Sequence, residues 1–122
     1  MTPKMICSQR FEDGTGSLTA VDSGGNGNVG TLNNMVATSS WVSGKIDGAI
    51  TFDGINDFIE VPNAPSLEVG KSGADFGVAF WFRPMQAFTG TWRSIIHKGS
   101  TDNERTFAIW LQPAANLLHY RI

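Results

Sequence analysis

Asp57 and Glu60 are the two carboxyl-bearing residues whose close spacing could suggest catalytic chemistry. Hydrolysis of a glycosidic bond needs one carboxyl group as an acid and a second as a nucleophile or base. Residues 57–60 read as part of a strand, where side chains three residues apart point to opposite faces, so these two carboxylates could not share a cleft. The other conceivable acid–base side chains are His97, Lys98, Asp102 and His119.

Motifs that carry catalysis are missing from the sequence. It contains no GxSxG, no HExxH and no phosphate-binding loop. Cys7 is the only cysteine, so neither an intramolecular disulfide nor a CxxC metal motif can form. We therefore predict that the chain is not an enzyme, with glycoside hydrolysis kept as a remote alternative.

Oxygen-bearing side chains are concentrated in segments rich in turn residues, and they are candidate metal ligands. Calcium takes roughly six to eight oxygen ligands from carboxylates, amide side chains and backbone carbonyls in loops. The alternative is that Asp and Asn cap turns there and tolerate left-handed backbone. Both interpretations stay open for the candidate metal ligands, which are Asp22, Asn26, Asn28 and Asp57.

Two of the four tryptophans are candidates for ligand contact. Trp81 is out of phase with the alternating apolar residues 76–82, and Trp110 is out of phase with Phe107, Ile109 and Leu111. A tryptophan opposite the core face of a strand can stack on a sugar ring, although packing in the core is the alternative. The predicted ligand-binding residues are Trp81, Arg83, Trp110, Gln112 and His119.

Short apolar segments separated by glycine-rich turns predict the elements that position these residues. No segment keeps a helical period for three turns, whereas strands with turn signals at intervals of about 8–12 residues indicate a sandwich or barrel. Residues 49–52 and 58–61 are predicted to pair as a hairpin. The predicted strands are 49–52, 58–61, 76–82, 92–97, 107–111 and 117–122, with a turn at 99–103.

Size and charge exclude several classes of protein. A chain of 122 residues fits one domain, which we assign to residues 1–122. A net charge of −2 is too balanced to indicate a nucleic-acid partner, which usually needs a basic face, so we predict none. The sequence has neither an apolar segment long enough for a membrane helix nor a signal peptide, so we predict no membrane insertion.

Three connected stretches carry a family resemblance. The first covers residues 11–16 (FEDGTG) and 21–32 (VDSGGNGNVGTL). The second covers residues 41–54 (WVSGKIDGAITFDG) and continues into 57–62 (DFIEVP), and the third covers residues 76–84 and 95–99. In this order and spacing they resemble the laminin-G-like jelly roll of the concanavalin A-like lectin and glucanase superfamily. The resemblance implies an all-β, antiparallel, two-sheet jelly-roll sandwich.

The resemblance also implies further properties, and the sequence departs from it in two places. It implies a structural calcium ion near the turn that holds Asp22, and an extracellular or surface-associated location. The Glu-x-Asp-x-x-Glu motif of the glucanase branch is absent. The C-terminal strands of the family are also missing from this sequence. An incomplete sandwich exposes sheet edges, so we expect self-association into a homo-oligomer.

Two functions follow as hypotheses. The first is a non-catalytic, lectin-like or adhesion module that binds a glycan or another cell-surface ligand. The second is a structural module that completes its sandwich by self-association. The ligand itself cannot be named from a fold resemblance, because function in such folds depends on the site.

Overall fold

The structure is a computed structural model that describes residues 4–70, 73–86, 89–99, 105–115 and 117–122. In these ranges the chain forms eight β-strands, a single-turn 3₁₀ helix at Pro65–Leu67 and no α-helix. All of the strand pairs are antiparallel. The same ranges contain no helix that is long and apolar enough to cross a membrane.

The chain divides into two compact units, Met1–Glu68 and Val69–Ile122, called here unit 1 and unit 2. The strands of unit 1 are β1 Thr19–Ala20, β2 Gly30–Asn33, β3 Trp41–Ser43, β4 Gly48–Ile50 and β5 Phe58–Glu60. Those of unit 2 are β6 Arg93–Gly99, β7 Arg105–Leu111 and β8 Leu118–Arg121. Unit 1 holds a three-stranded sheet in the order β1-β2-β5 and the hairpin β3-β4. Unit 2 holds a three-stranded meander in the order β6-β7-β8. The assignment of residues 1–122 to a single domain stays a prediction.

The core of unit 1 forms where β2 turns alternate residues inward. Ala20, Leu32 and Met35 are buried, whereas Thr31 is exposed, as the two-residue period of a strand requires. Trp41 packs against this cluster, and its indole N–H donates to the Ser17 carbonyl over 3.0 Å. The indole thus buries its ring and still satisfies its only donor.

The turn between β3 and β4 depends on the backbone conformation of Asp47 and on the absence of a side chain at Gly48. Asp47 has a φ of 52°, in the left-handed region that Asp tolerates better than most residues, and the Gly44 N–H donates to its carbonyl over 2.8 Å. Gly48 follows, and a Cβ placed there would collide with the Phe11 carbonyl. Glycine at residue 48 lets the backbone of residue 11 lie directly against the hairpin.

Unit 2 buries less of its apolar surface than its composition suggests. Ala108 is completely buried and Leu111 is nearly so, and these are the buried apolar residues among those described in unit 2. The ring of Phe76 packs on that of Phe107 with centroids 5.6 Å apart. Many large apolar side chains of this unit remain exposed, including Trp81, Phe82, Met85, Trp92 and Tyr120.

Several predicted strands are confirmed. The strand predicted at 107–111 is β7, the one at 117–122 contains β8, and the one at 58–61 contains β5. The strand predicted at 92–97 begins one residue later and runs to Gly99 as β6. Residues 100–103 of the predicted turn lie outside the described residues, as does Asp102.

Two expectations are wrong. Residues 76–82 form no strand, because an alternating apolar pattern assigns faces but supplies no hydrogen-bonding partner, and the described residues show none. Residues 49–52 and 58–61 do not pair with each other. β4 pairs with β3, and β5 pairs with β2 through Leu32 and Ile59. Between them the Asp53 carboxylate accepts the Ile55 N–H over 2.8 Å, which favours a closed loop over a tight hairpin.

Candidate functional site

A group of aromatic and histidine rings occupies one face of the β6-β7-β8 sheet. The centroids of Trp110 and His119 are 5.8 Å apart, with an interplanar angle of 40°. Trp92 meets the edge of His119 at 5.3 Å. His97 lies 6.4 Å from Trp110 on the other side. These four residues, Trp92, His97, Trp110 and His119, are called here the aromatic face.

Strand register explains why these rings meet. Trp110 lies opposite Ser94 on β6 and opposite His119 on β8, so its ring has neighbours on both sides. Side chains directly opposite each other in antiparallel strands have Cβ atoms about 4.5–5.5 Å apart. Trp92 immediately precedes β6 and reaches the same face two residues before Ser94.

A β-bulge brings His97 onto this face. Ser94 pairs with Trp110 and His97 pairs with Ala108, with a register shift between Ser94 and Ile96. Without the extra residue, positions 94 and 97 would point to opposite faces, because the side-chain period of a strand is two. Counting along the sequence places His97 on the wrong face, which is why the sequence did not predict it as a site residue.

The aromatic face is only partly buried. Trp92 is 55% exposed, whereas His97, Trp110 and His119 are half-buried. Ala108 lies in the same row of β7 and is completely buried, so larger neighbouring side chains cover it. Arg121 is exposed and lies opposite Ala108, so its side chain starts from the same face. This surface can stack on an apolar ligand face and can donate hydrogen bonds at its rim.

The predicted ligand-binding residues divide into two groups. Trp110 and His119 are brought into direct ring contact, and Gln112 follows β7, where its backbone N–H donates to the Leu117 carbonyl over 3.0 Å. Trp81 and Arg83 lie in the segment that forms no strand. Trp81 is 73% exposed and lines a cavity of about 330 Å³ together with Ala79 and Phe80.

Asp22 is one of the predicted metal ligands, and its carboxylate accepts three backbone N–H groups. Oδ1 accepts from Ser8 over 2.8 Å and from Gly24 over 2.7 Å. Oδ2 accepts from Asn28 over 2.9 Å. The Ser8 N–H is the largest influence that lowers the pKa of Asp22, and it outweighs the opposing effect of burial.

Asn26 and Asn28 complete a network that ties the N-terminal segment to this turn. Their side-chain amides both donate to the Ile6 carbonyl, over 2.7 Å and 2.9 Å respectively. The Asn28 Oδ1 accepts from the Ser66 hydroxyl over 3.1 Å. The network formed by Ile6, Ser8, Asp22, Asn26, Asn28 and Ser66 is called here the polar knot.

Asp57, the fourth predicted metal ligand, lies in a different turn. Its Oδ2 accepts the Asp53 N–H over 3.0 Å, and it lines a cavity of about 220 Å³ with Asp53, Phe52 and Thr51. The described residues contain no group of three His, Cys, Asp or Glu side chains that could hold a metal ion. The calcium site stays a prediction, and the contacts of Asp22 support the turn-capping alternative.

Comparison with known proteins gives a structural likeness and no family. No protein-family model matches the chain, and no curated protein matches it. The chain is similar to the crystal structure of an S-layer domain-containing protein (residues 221–444) from Clostridium thermocellum ATCC 27405, with a TM-score of 0.59 and 15% sequence identity.

That likeness covers 94% of this chain and 55% of the other, so the chain spans about half the length of the S-layer structure. An identity this low concerns the fold alone. Together with the antiparallel strand pairs, it confirms the predicted all-β sandwich class.

Proposed function

We propose that the chain is a non-catalytic carbohydrate-binding module of a surface-associated protein and that it binds saccharides through the aromatic face. The observation that carries the proposal is the contact of Trp110, His119 and Trp92 on one sheet face, with Trp92 still largely exposed. Rigid indole rings offer a large apolar area at a low cost in conformational entropy. The C–H faces of pyranose rings are a matching surface.

Two further observations support a surface-binding role. The structural neighbour is described as an S-layer domain-containing protein, which agrees with a surface location. The sequence motifs resemble a laminin-G-like module, and we propose membership of that family on the same grounds. The sequence lacks the Glu-x-Asp-x-x-Glu motif of the glucanase branch, which supports a module that binds without reacting.

Substitution of Trp92 by Ala tests the proposal. Trp92 precedes the sheet and is exposed, so its removal should leave the fold intact while it removes stacking area. We expect about tenfold weaker binding, since loss of a central aromatic contact commonly costs more than about 1 kcal/mol. Binding is to be measured on a glycan array and then by titration with the saccharides that bind.

Phe58→Ala is the matched control, because Phe58 is also an exposed aromatic residue and it begins the paired strand β5 in unit 1. Its affinity should equal that of the unchanged chain. Trp81→Ala is a second comparison, because Trp81 lines the cavity of about 330 Å³. A loss confined to Trp81→Ala would move the site to that cavity and contradict the proposal.

Self-association through β8 is the second candidate function. Leu118 and Tyr120 of β8 and Ile122 just after it are alternate residues and all are exposed, Tyr120 by 72%. β8 pairs with β7 on one side, and no other described strand pairs with it. An open strand edge with exposed apolar side chains can add a strand from a second copy.

Light scattering on the full chain tests this candidate. We expect a dimer or larger oligomer that dissociates in Tyr120→Lys, because a charge on an edge strand opposes strand addition. Trp92→Ala should leave the oligomer unchanged. A strict monomer at high protein concentration would contradict self-association and leave the saccharide proposal intact.

A further inference from the structure

We infer that the aromatic face selects acidic saccharides, meaning those with carboxylate or sulfate groups, and that it binds them more tightly as the pH falls from 7.5 to 5.5. This inference rests on the proposed function, and it adds the chemical class of the ligand and the control of its binding. It follows from which ionisable side chains the strand register places on this face.

The described ionisable groups on this face are two histidines and an arginine. β6 contributes His97, β7 contributes none, and β8 contributes His119 and Arg121. Arg93, Lys98 and Tyr120 pair with Leu111, Phe107 and Ile109, so they belong to the opposite face. No carboxylate of the described strand residues lies on the aromatic face, so a bound anion would meet no like charge there.

Arg121 gives the face a positive charge at every physiological pH. Its guanidinium is exposed and always protonated, and it can hold a carboxylate or sulfate by two parallel hydrogen bonds. The Arg121 side chain starts two residues from His119 on the same face of the strand. A sugar stacked on the rings can therefore place its acidic group against the guanidinium. Stacking and ion pairing can then act on the same ligand.

The two histidines add the pH dependence. Histidine is the side chain whose charge changes between about pH 5 and 8. His119 is in ring contact with Trp92 and Trp110, and the rings of His97 and Trp110 are 6.4 Å apart, so both imidazoles lie on the face from which Arg121 starts. Acidification therefore adds positive charge beside Arg121. The added charge increases the affinity for an anionic ligand and leaves the affinity for a neutral ligand unchanged.

The test compares two forms of one polymer, polygalacturonate and its fully methyl-esterified derivative, at pH 5.5 and 7.5. Their backbones are identical, and esterification replaces each carboxylate with an uncharged methyl ester. We expect the free acid to bind about tenfold more tightly than the ester at pH 5.5, with a smaller preference at pH 7.5. Added salt should weaken the binding of the free acid, because screening shortens the reach of exposed charges. Heparin serves as the sulfated ligand and distinguishes sulfate from carboxylate.

Three variants locate the effect. Arg121→Gln should remove most of the preference for the acid at both pH values, and His119→Asn together with His97→Asn should remove its pH dependence. Arg10→Gln, an exposed arginine of unit 1, is the matched control and should change nothing. Circular dichroism of each variant checks that the sheet remains.

The outcomes separate the inference from the proposed function. Equal binding of the acid and the ester at both pH values, lost in Trp92→Ala, would overturn the inference and leave the proposed function standing. Binding of the acid that Trp92→Ala leaves unchanged would overturn the inference and place the anion site elsewhere. No binding of any saccharide would overturn both.

Discussion

The polar knot of unit 1 and the aromatic face of unit 2 both consist of residue types that bind ligands, but their side chains are used differently. In the polar knot, Asp22 accepts three backbone N–H groups, and both amides donate to the Ile6 carbonyl. In the aromatic face, the rings contact one another but Trp92 stays exposed. Residue types alone therefore identify candidates, and the local backbone decides which of them remain open to a ligand.

The largest expected effect is a loss of folding stability when Asp22 of the polar knot is replaced. Asp22→Ala leaves three backbone N–H groups without their charged acceptor, so we expect the free energy of unfolding to fall by about 3 kcal/mol. Asp57→Asn is the control, because Asp57 accepts a single exposed N–H. This substitution should lower the free energy of unfolding by far less. Urea unfolding measures both. Equal effects of the two substitutions would mean that the polar knot is not a structural centre.

The response of the melting temperature to calcium tests whether Asp22 caps a turn or binds the ion. If Asp22 caps the turn, removal of calcium by EDTA should leave the melting temperature unchanged. If Asp22, Asn26 and Asn28 bind calcium, the ion should raise the melting temperature with its concentration, because a ligand of the native state stabilises it. A rise that disappears in Asp22→Asn would support the calcium prediction against the turn-capping interpretation.

Backbone packing is expected to differ between the units by a smaller amount. Gly48 of unit 1 has the Phe11 carbonyl where a Cβ would lie, whereas Gly77 of unit 2 has open space there. We expect Gly48→Ala to lower the free energy of unfolding by about 2 kcal/mol, as overpacking usually costs about 1–3 kcal/mol. Gly77→Ala should be nearly neutral. The same urea unfolding measurements decide between these expectations and a uniform response.

The smallest effect is a pH dependence of stability that originates in the polar knot. Backbone N–H donors, that of Ser8 first, hold the pKa of Asp22 below its ordinary value. The ionised carboxylate therefore contributes stability above the unfolded-state pKa of about 3.9, and this contribution is lost as the pH falls through the lower folded-state pKa. The free energy of unfolding should fall in this acidic range by less in Asp22→Asn than in the unchanged chain. Identical acid profiles would contradict the role of Asp22.

Features that depend only on residues within one segment were predictable from the sequence. β7 was predicted from alternating apolar residues and β8 from a short apolar segment, and the contact of Trp110 with His119 follows once these strands pair. Turn chemistry likewise gave the capping alternative for Asp22. These features depend on nearby residues and on the two-residue period of a strand.

Features that depend on a distant partner were not predictable in this way. The alternation of residues 76–82 matched a strand, but pairing depends on another segment. The hairpin between 49–52 and 58–61 failed because β3 and β2 are the actual partners of β4 and β5. His97 was missed because the bulge between Ser94 and Ile96 changes the face on which it lies, and nothing in the local sequence marks a bulge.

Saccharide binding at the aromatic face can be followed by nuclear magnetic resonance of the four indole N–H groups. The protein is titrated with oligogalacturonate and, separately, with cellohexaose. Trp41 is an internal reference, because its indole donates to the Ser17 carbonyl inside unit 1. We expect the signals of Trp92 and Trp110 to shift on binding and the signal of Trp41 to stay in place. Binding that shifts only Trp81, or that leaves all four signals unchanged, would contradict the assignment of saccharide binding to the aromatic face.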